Sequence, residues 1–252
     1  PRYFTNYIGL RGRMAVLSEA YSYAPFRTRI DATYEFVRAV LEYVAQHASQ
    51  VRALSRAADA RAWRTLGVRF ELAQRAAAET VLVAETEPAP DGKRGRVPTD
   101  RIRPTPVAVF DRFRAVREAA VPAGYLLPPG MDQVNALLAR HGVALQRLTQ
   151  SWTGQAQVFT PRSVQVSERS FQGHQLTLLE VERKVDERTF AAGSVFVACQ
   201  QPLGALAFYL LDPESEDGVV AWQLAGVTPQ EAEPLPWVGA LAPPSAIERV
   251  QR

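Results

Sequence analysis

The sequence predicts two parts: an α/β portion over residues 1–67, then a mainly β, mixed α+β portion over residues 68–252. Three observations lead there. Met14-Ala15-Val16-Leu17 is a continuous apolar run too short for an ordinary helix, which fits a strand buried on both faces. Ile30, Tyr34, Val37, Leu41 and Val44 then recur at steps of four and three, the pattern of an amphipathic helix over about 28–48. From Val68 onward short β-rich runs replace that helical period, with turn-rich segments between them.

Taken in order, residues 1–12 are aromatic and glycine-punctuated and read as a loop entering the buried strand. Pro25 ends the strand's run, and Thr28 with Asp31 three positions on provides a helix start with an acid in the first turn. A second helix, rich in alanine and arginine, is expected over 49–66 with Gly67 as its stop. Strands are expected at 80–86, 107–113, 158–171, 176–190 and 194–200. Residues 87–95 read as an exposed loop, and Arg103-Pro-Thr-Pro as an extended entry to a strand. A small α/β insert is expected at about 122–149. It has a strand at 124–129, a helix at 131–140 with Val134, Leu137 and Leu138 inward and Gly142 at its end, and a returning strand at 143–148. Ser170-Phe171-Gln172-Gly173-His174 reads as a turn between strands. Pro202 opens a helix through Leu206, Phe208 and Leu211 that Asp212-Pro213 ends. Residues 213–252 read as a tail that Trp222 and Trp237 pin to the body.

Composition narrows the function classes. The chain has 252 residues, 47% hydrophobic and 22% charged, an ordinary globular balance that excludes extended disorder. Its formal charge of +3 comes from 29 basic and 26 acidic residues with the signs interspersed, so no nucleic-acid-binding face is implied. The one basic cluster, Lys93-Arg94-Gly95-Arg96, falls in a Pro/Gly-punctuated loop. Cys199 is the sole cysteine and excludes an internal disulfide. No apolar stretch approaches the ~18–20 residues of a membrane span. There are no repeats, no phosphate-binding glycine loop and no nucleophile elbow.

Chemistry concentrates near the N-terminus. Glu19 follows the apolar run directly, and open α/β sheets place ligands outside the carboxyl ends of their strands. Position alone leaves two readings of Glu19 open: a tuned catalytic carboxylate, or a capping or salt-bridging acid. Tyr3, Tyr7, Tyr21 and Tyr23 surround it in sequence. Arg11 and Arg13 offer either a bidentate fork to a carboxylate ligand or an ordinary salt bridge. His141, beside the end of the 131–140 helix, reads as an imidazolium favoured by the helix dipole, and His174 as a surface hydrogen-bonder in a turn.

Tyr3-Phe4-Thr5-Asn6-Tyr7-Ile8-Gly9-Leu10-Arg11-Gly12-Arg13, running into Leu17-Ser18-Glu19-Ala20-Tyr21-Ser22-Tyr23-Ala24-Pro25-Phe26, resembles the end of the catalytic domain of bacterial zinc carboxypeptidases of the carboxypeptidase A type. The resemblance implies that residues 1–67 are the last strand and helices of the peptidase sheet, with 68–252 an appended accessory domain. It implies that Glu19 is the general base and that Tyr7 is the tyrosine that closes over a peptide substrate; the family's principal carboxylate-binding arginine lies further upstream, and Arg11 is a substrate-binding candidate by its guanidinium chemistry alone. An extracytoplasmic setting is implied as well. The implied cofactor is zinc, held in that family by a His-x-x-Glu pair and a later histidine. His47, His141 and His174 are the only histidines, and none has Glu three residues on. The metal ligands, and the rest of the catalytic domain as a partner, are therefore expected upstream of this chain. The alternative is a non-catalytic module that binds peptide or cell-wall polymer, or docks on a peptidase domain.

Overall fold

The structure is a computed structural model that describes residues 3–90 and 95–250. Its core is built on Gly124-Tyr125-Leu126-Leu127, strand β5, in which every residue is buried. Because side chains alternate along a strand, Tyr125 and Leu127 enter one apolar cluster and Leu126 another on the opposite face. Strand β9 (Val195–Ala198) repeats the pattern, with Val195 and Val197 on one face and Phe196 on the other. These two strands pair antiparallel inside a seven-stranded sheet. Its order is β11 (Ile247–Arg249), β6 (Gln146–Leu148), β9, β5, β10 (Val238–Ala240), β7 (Trp152–Phe171), β8 (His174–Phe190). Helices α4 (Asp132–His141) and α5 (Gly204–Leu211) bring Val134, Leu138, Ala207, Phe208 and Leu211 into the larger cluster.

Two compact units make up the chain. One comprises residues 1–68 and 118–252, and holds this sheet together with helices α1 (Phe4–Leu10), α2 (Phe26–Gln46) and α3 (Ala48–Asp59). The other is Arg69–Arg117. It contains the two-stranded ribbon β2 (Glu79–Pro88) with β3 (Arg96–Val107), and most of β1 (Thr65–Gln74) and β4 (Phe110–Ala120). Among the described residues no helix is long and apolar enough to cross a membrane.

Several elements differ from the sequence reading. Residues 13–21 form neither helix nor strand, and Met14, Val16 and Leu17 are exposed. A strand buried on both faces needs neighbours to take its backbone hydrogen bonds, and no described strand pairs with this run. Helix α2 starts at Phe26 after Pro25, without a side-chain cap, and Asp31 pairs instead with Arg27 one turn back. Helix α3 stops at Asp59, and Gly67 lies inside β1, where Thr65, Val68 and Phe70 favour strand. The 107–113 run spans the break between β3 and β4, two strands of different sheets; no glycine, proline or asparagine marks that break. The 122–149 segment is no separate insert, since β5 and β6 both pair with β9. Nor do residues 213–250 form a tail. Strand β10 lies between β5 and β7, and Trp237 is fully buried with its indole N–H donating to the Leu211 carbonyl at 3.0 Å. The cluster residues Lys93 and Arg94 lie outside the described residues.

A buried ion network ties β8 to the segment after α5. The Arg183 guanidinium donates to both oxygens of Asp212, at 2.9 and 2.8 Å, and to Glu214 at 2.9 Å. Glu214 in turn accepts the Val181 backbone N–H at 3.0 Å. Burial pushes the Asp212 carboxyl above its usual range, against the pull of Arg183. Nearby, burial and then the Asp212 charge push the Cys199 thiol up to about 12. Gly204, at the start of α5, fits only because it has no side chain: a Cβ there would lie 1.8 Å from the Cys199 carbonyl oxygen.

Replacing Arg183 by methionine leaves Asp212 and Glu214 buried without their cation. Breaking such a network from one side costs about 3–5 kcal/mol. Urea denaturation of Arg183→Met is therefore expected to show a loss of that order, and a loss under about 1 kcal/mol would mean the network contributes no more than a surface pair.

Candidate functional site

Tyr7 lies on α1 one turn before Arg11, so both side chains leave the same face of the helix. The Arg11 guanidinium donates to the Tyr7 hydroxyl oxygen at 3.0 Å and to the His141 carbonyl at 2.6 Å. The Tyr7 hydroxyl meets His141 Nδ1 at 2.8 Å. With its oxygen already accepting from Arg11, the phenol donates its proton to Nδ1. The neutral imidazole then carries its own proton on Nε2. Burial first, and then the neighbouring Arg11 and Arg140 charges, hold His141 below its usual value. The expected imidazolium at the end of α4 is thus a neutral ring, because desolvation and two cations outweigh the helix dipole.

Tyr7 and Arg11 are brought together, but with His141 rather than Glu19. Among the described residues no hydrogen bond or ion pair joins Glu19 to either of them. Glu19 sits in the exposed 13–21 segment and forms no ion pair or hydrogen bond with the described residues. Arg13 anchors the start of that segment through a two-point pair with Asp59 at the end of α3, at 2.7 and 3.0 Å. The hydrogen bonds from Arg13 hold the Asp59 carboxyl below the usual range. Beyond Glu19, Tyr21 and Tyr23 pack as tilted rings 5.5 Å apart. A solvent-accessible carboxylate on such a segment can accept a proton from water, while Arg13 is already committed to Asp59.

The described residues hold no group of three His, Cys, Asp or Glu side chains placed to bind a metal ion. Catalytic zinc takes three protein ligands, so these residues do not fit a zinc site.

Tyr7 and His141 also line a cleft of about 520 Å³. Leu206 and Tyr209 of α5, Phe171 at the β7–β8 turn, and Asp217 and Trp222 line it too. The sequence reading treated Trp222 only as a pin and did not single out Asp217 or Tyr209. These residues are scattered over the chain, and only the Asp-Gly turn five residues before Trp222 could have hinted that the two meet. His174, read as a surface residue of the turn, packs edge-on against Trp222, with ring centres 5.3 Å apart.

Comparison with known proteins adds a functional direction. Carboxypeptidase 2 of Trichophyton tonsurans is 29% identical over 134 residues, covering 52% of this chain and 24% of the relative. Carboxypeptidase 2 of Trichophyton equinum matches with the same identity and coverage. That of Trichophyton rubrum is 29% identical over 116 residues, 45% of this chain and 21% of the relative. The chain spans about a quarter of the length of the curated relatives it matches. No protein-family model matches the chain, and no solved structure does. A carboxypeptidase-related region is suggested, and with it hydrolase or protease chemistry in general.

The neutral His141 makes stability depend on pH. Its folded-state value lies below the unfolded ~6.5, so between the two the unfolded chain binds more protons. This contribution is fully present above pH ~6.5 and is lost as pH falls through the window beneath it. The melting temperature of the wild type is expected to fall more between pH 7.5 and pH 5 than that of His141→Gln. Parallel curves for the two proteins would show that His141 is not held neutral.

Proposed function

We propose that this chain is the C-terminal portion of a zinc carboxypeptidase that hydrolyses peptide bonds, with Glu19 as its general base. Residues 1–67 would then close the catalytic domain and residues 68–252 form an accessory domain. The observation that carries the reading is the state of Glu19. A salt-bridging acid needs a cation, and this carboxylate is exposed and unpaired among the described residues, on a segment that also exposes Met14, Val16, Leu17, Tyr21 and Tyr23. The carboxypeptidase matches supply the chemical class.

In this role Glu19 takes a proton from the attacking water and passes it to the leaving amine as the peptide bond breaks. Tyr7 and Arg11 would act on the substrate only after leaving His141, so in the arrangement described they serve to fasten α1. The described residues do not fit zinc, and no step here runs through it. The metal would be held by the upstream part of the catalytic domain. That part would also cover α2, which has no buried residue and exposes Phe26, Ile30, Tyr34, Val37, Leu41 and Val44 along one stripe. The same stripe favours the second reading, a non-catalytic module docked on a peptidase body. The two part company at Glu19.

In the intact gene product, Glu19→Gln keeps the side chain's size and removes the proton acceptor. Under the catalytic reading kcat falls by ~10²–10⁴, with KM and melting temperature nearly unchanged. A Glu19→Gln enzyme that hydrolyses peptides at the wild-type rate would leave only the docking role.

A further inference from the structure

A second cleft, of about 490 Å³, opens where the end of α1 meets α3 and the start of α5. Its shape depends on Gly12, whose left-handed φ of 67° turns the chain close against α3; a Cβ there would press on the Ala58 side chain at 3.2 Å. The walls are Leu10, Met14, Leu54, Trp63 and Pro202, with alanines between them. Met14 and Leu54 are more than half exposed, so this apolar surface faces solvent. Two charged side chains reach it, Arg13 and Arg61, and no carboxylate is among its described lining residues. Arg13 is committed elsewhere: its guanidinium donates to both oxygens of Asp59 and to the Gly12 carbonyl at 3.0 Å. Arg61 is not. Its guanidinium lies 3.7 Å over the centre of the Trp63 ring. Stacking of this kind uses the flat face of the group and leaves its five N–H donors around the edge. Among the described residues none of those donors meets an acceptor.

The cleft thus sets one uncommitted positive charge beside an apolar surface. A neutral hydrocarbon would leave the guanidinium unused. A peptide segment would bring amide groups that need partners, and Ser55 is the only other polar side chain among the described lining residues. A carboxylate on a hydrocarbon stem meets both features, because the guanidinium fork takes its oxygens and the stem covers the leucines. Trp63 already holds the guanidinium in place, so little side-chain freedom is lost on binding. We propose that this cleft binds a fatty carboxylate, with the head group on Arg61 and the stem along Leu10, Leu54 and Pro202. The site stands apart from the peptidase reading, because it concerns equilibrium binding at a cleft that Glu19 does not line.

The test titrates octanoate and octanamide into the protein by calorimetry. The two share a stem and differ in the charge of the head group. Octanoate is expected to bind about three- to tenfold more tightly, by a margin that shrinks as salt is added. Arg61→Gln, at an exposed position, should remove that preference and leave octanamide unchanged. Leu54→Asn, on the exposed side of α3, should weaken both ligands several-fold, which keeps the test open should Arg61→Gln fold poorly. Nα-acetyl-leucine carries the same carboxylate on a peptide-like body and is expected to bind more weakly than octanoate. Equal affinity for octanoate and octanamide, saturable binding of neither, or a preference that survives Arg61→Gln overturns the site. Octanoate binding untouched by Leu54→Asn overturns it too, and so does tighter binding of Nα-acetyl-leucine, which would give the cleft to a peptide C-terminus instead.

Discussion

Three residues near the end of the chain hold the main sheet together. Strand β10, Val238–Ala240, pairs with β5 on one side and with β7 on the other. Remove it, and the sheet divides into a β11-β6-β9-β5 half and the long β7–β8 hairpin, each with a bare edge. The burial around it follows from that position. Val238 and Ala240 enter one cluster while the neighbouring Trp237 enters the other, so both faces of the sheet close over the same short strand. Gly239 has its own part: a Cβ there would press on Pro122 at 3.1 Å and on the Phe159 ring at 3.3 Å.

The Arg183 network and the α1 contacts hang on that frame in different ways. Arg183 projects from β8, the outer strand of the hairpin, and its partners follow α5 directly, so the network fastens the sheet's edge to the helix on its face. Helix α1 has no buried residue and is held by Tyr7 and Arg11 on His141, polar contacts at the end of α4. Among the described residues, the polar contacts that fasten α1 are those of Tyr7 and Arg11, while the sheet is held by apolar burial. Such polar attachments leave a region nearer the low end of the local-stability range.

Much of this was legible in the residues. The period of α2, the Pro-opened apolar run of α5, the Gly142 stop of α4 and the Gln172-Gly173 turn between β7 and β8 all carry local signals, and the structure places each element within a few residues of its signal. What the sequence could not show was partnership. Met14–Leu17 has the composition of a buried strand, but composition states only what would gain from burial, and no described strand lies beside it. Val238–Ala240 failed in the opposite sense. Three residues flanked by prolines carry no period, and their place in the sheet comes from long-range pairing. The candidate site divides in the same way. Tyr7 was picked out by the family resemblance and Arg11 by its guanidinium chemistry, whereas His141, 134 residues beyond Tyr7, could be joined to them only by the fold.

The lone thiol has a consequence of its own. Cys199 is buried, and its ionisation is pushed to about 12, so near neutral pH almost none of it is the reactive thiolate. Within this chain the sulfur has no second cysteine to couple with, and its own disulfide chemistry is closed off. Reagents that attack thiolates reach this sulfur only when β9 and the start of α5 part. The pace at which Cys199 is alkylated in the native protein therefore measures how often this core opens.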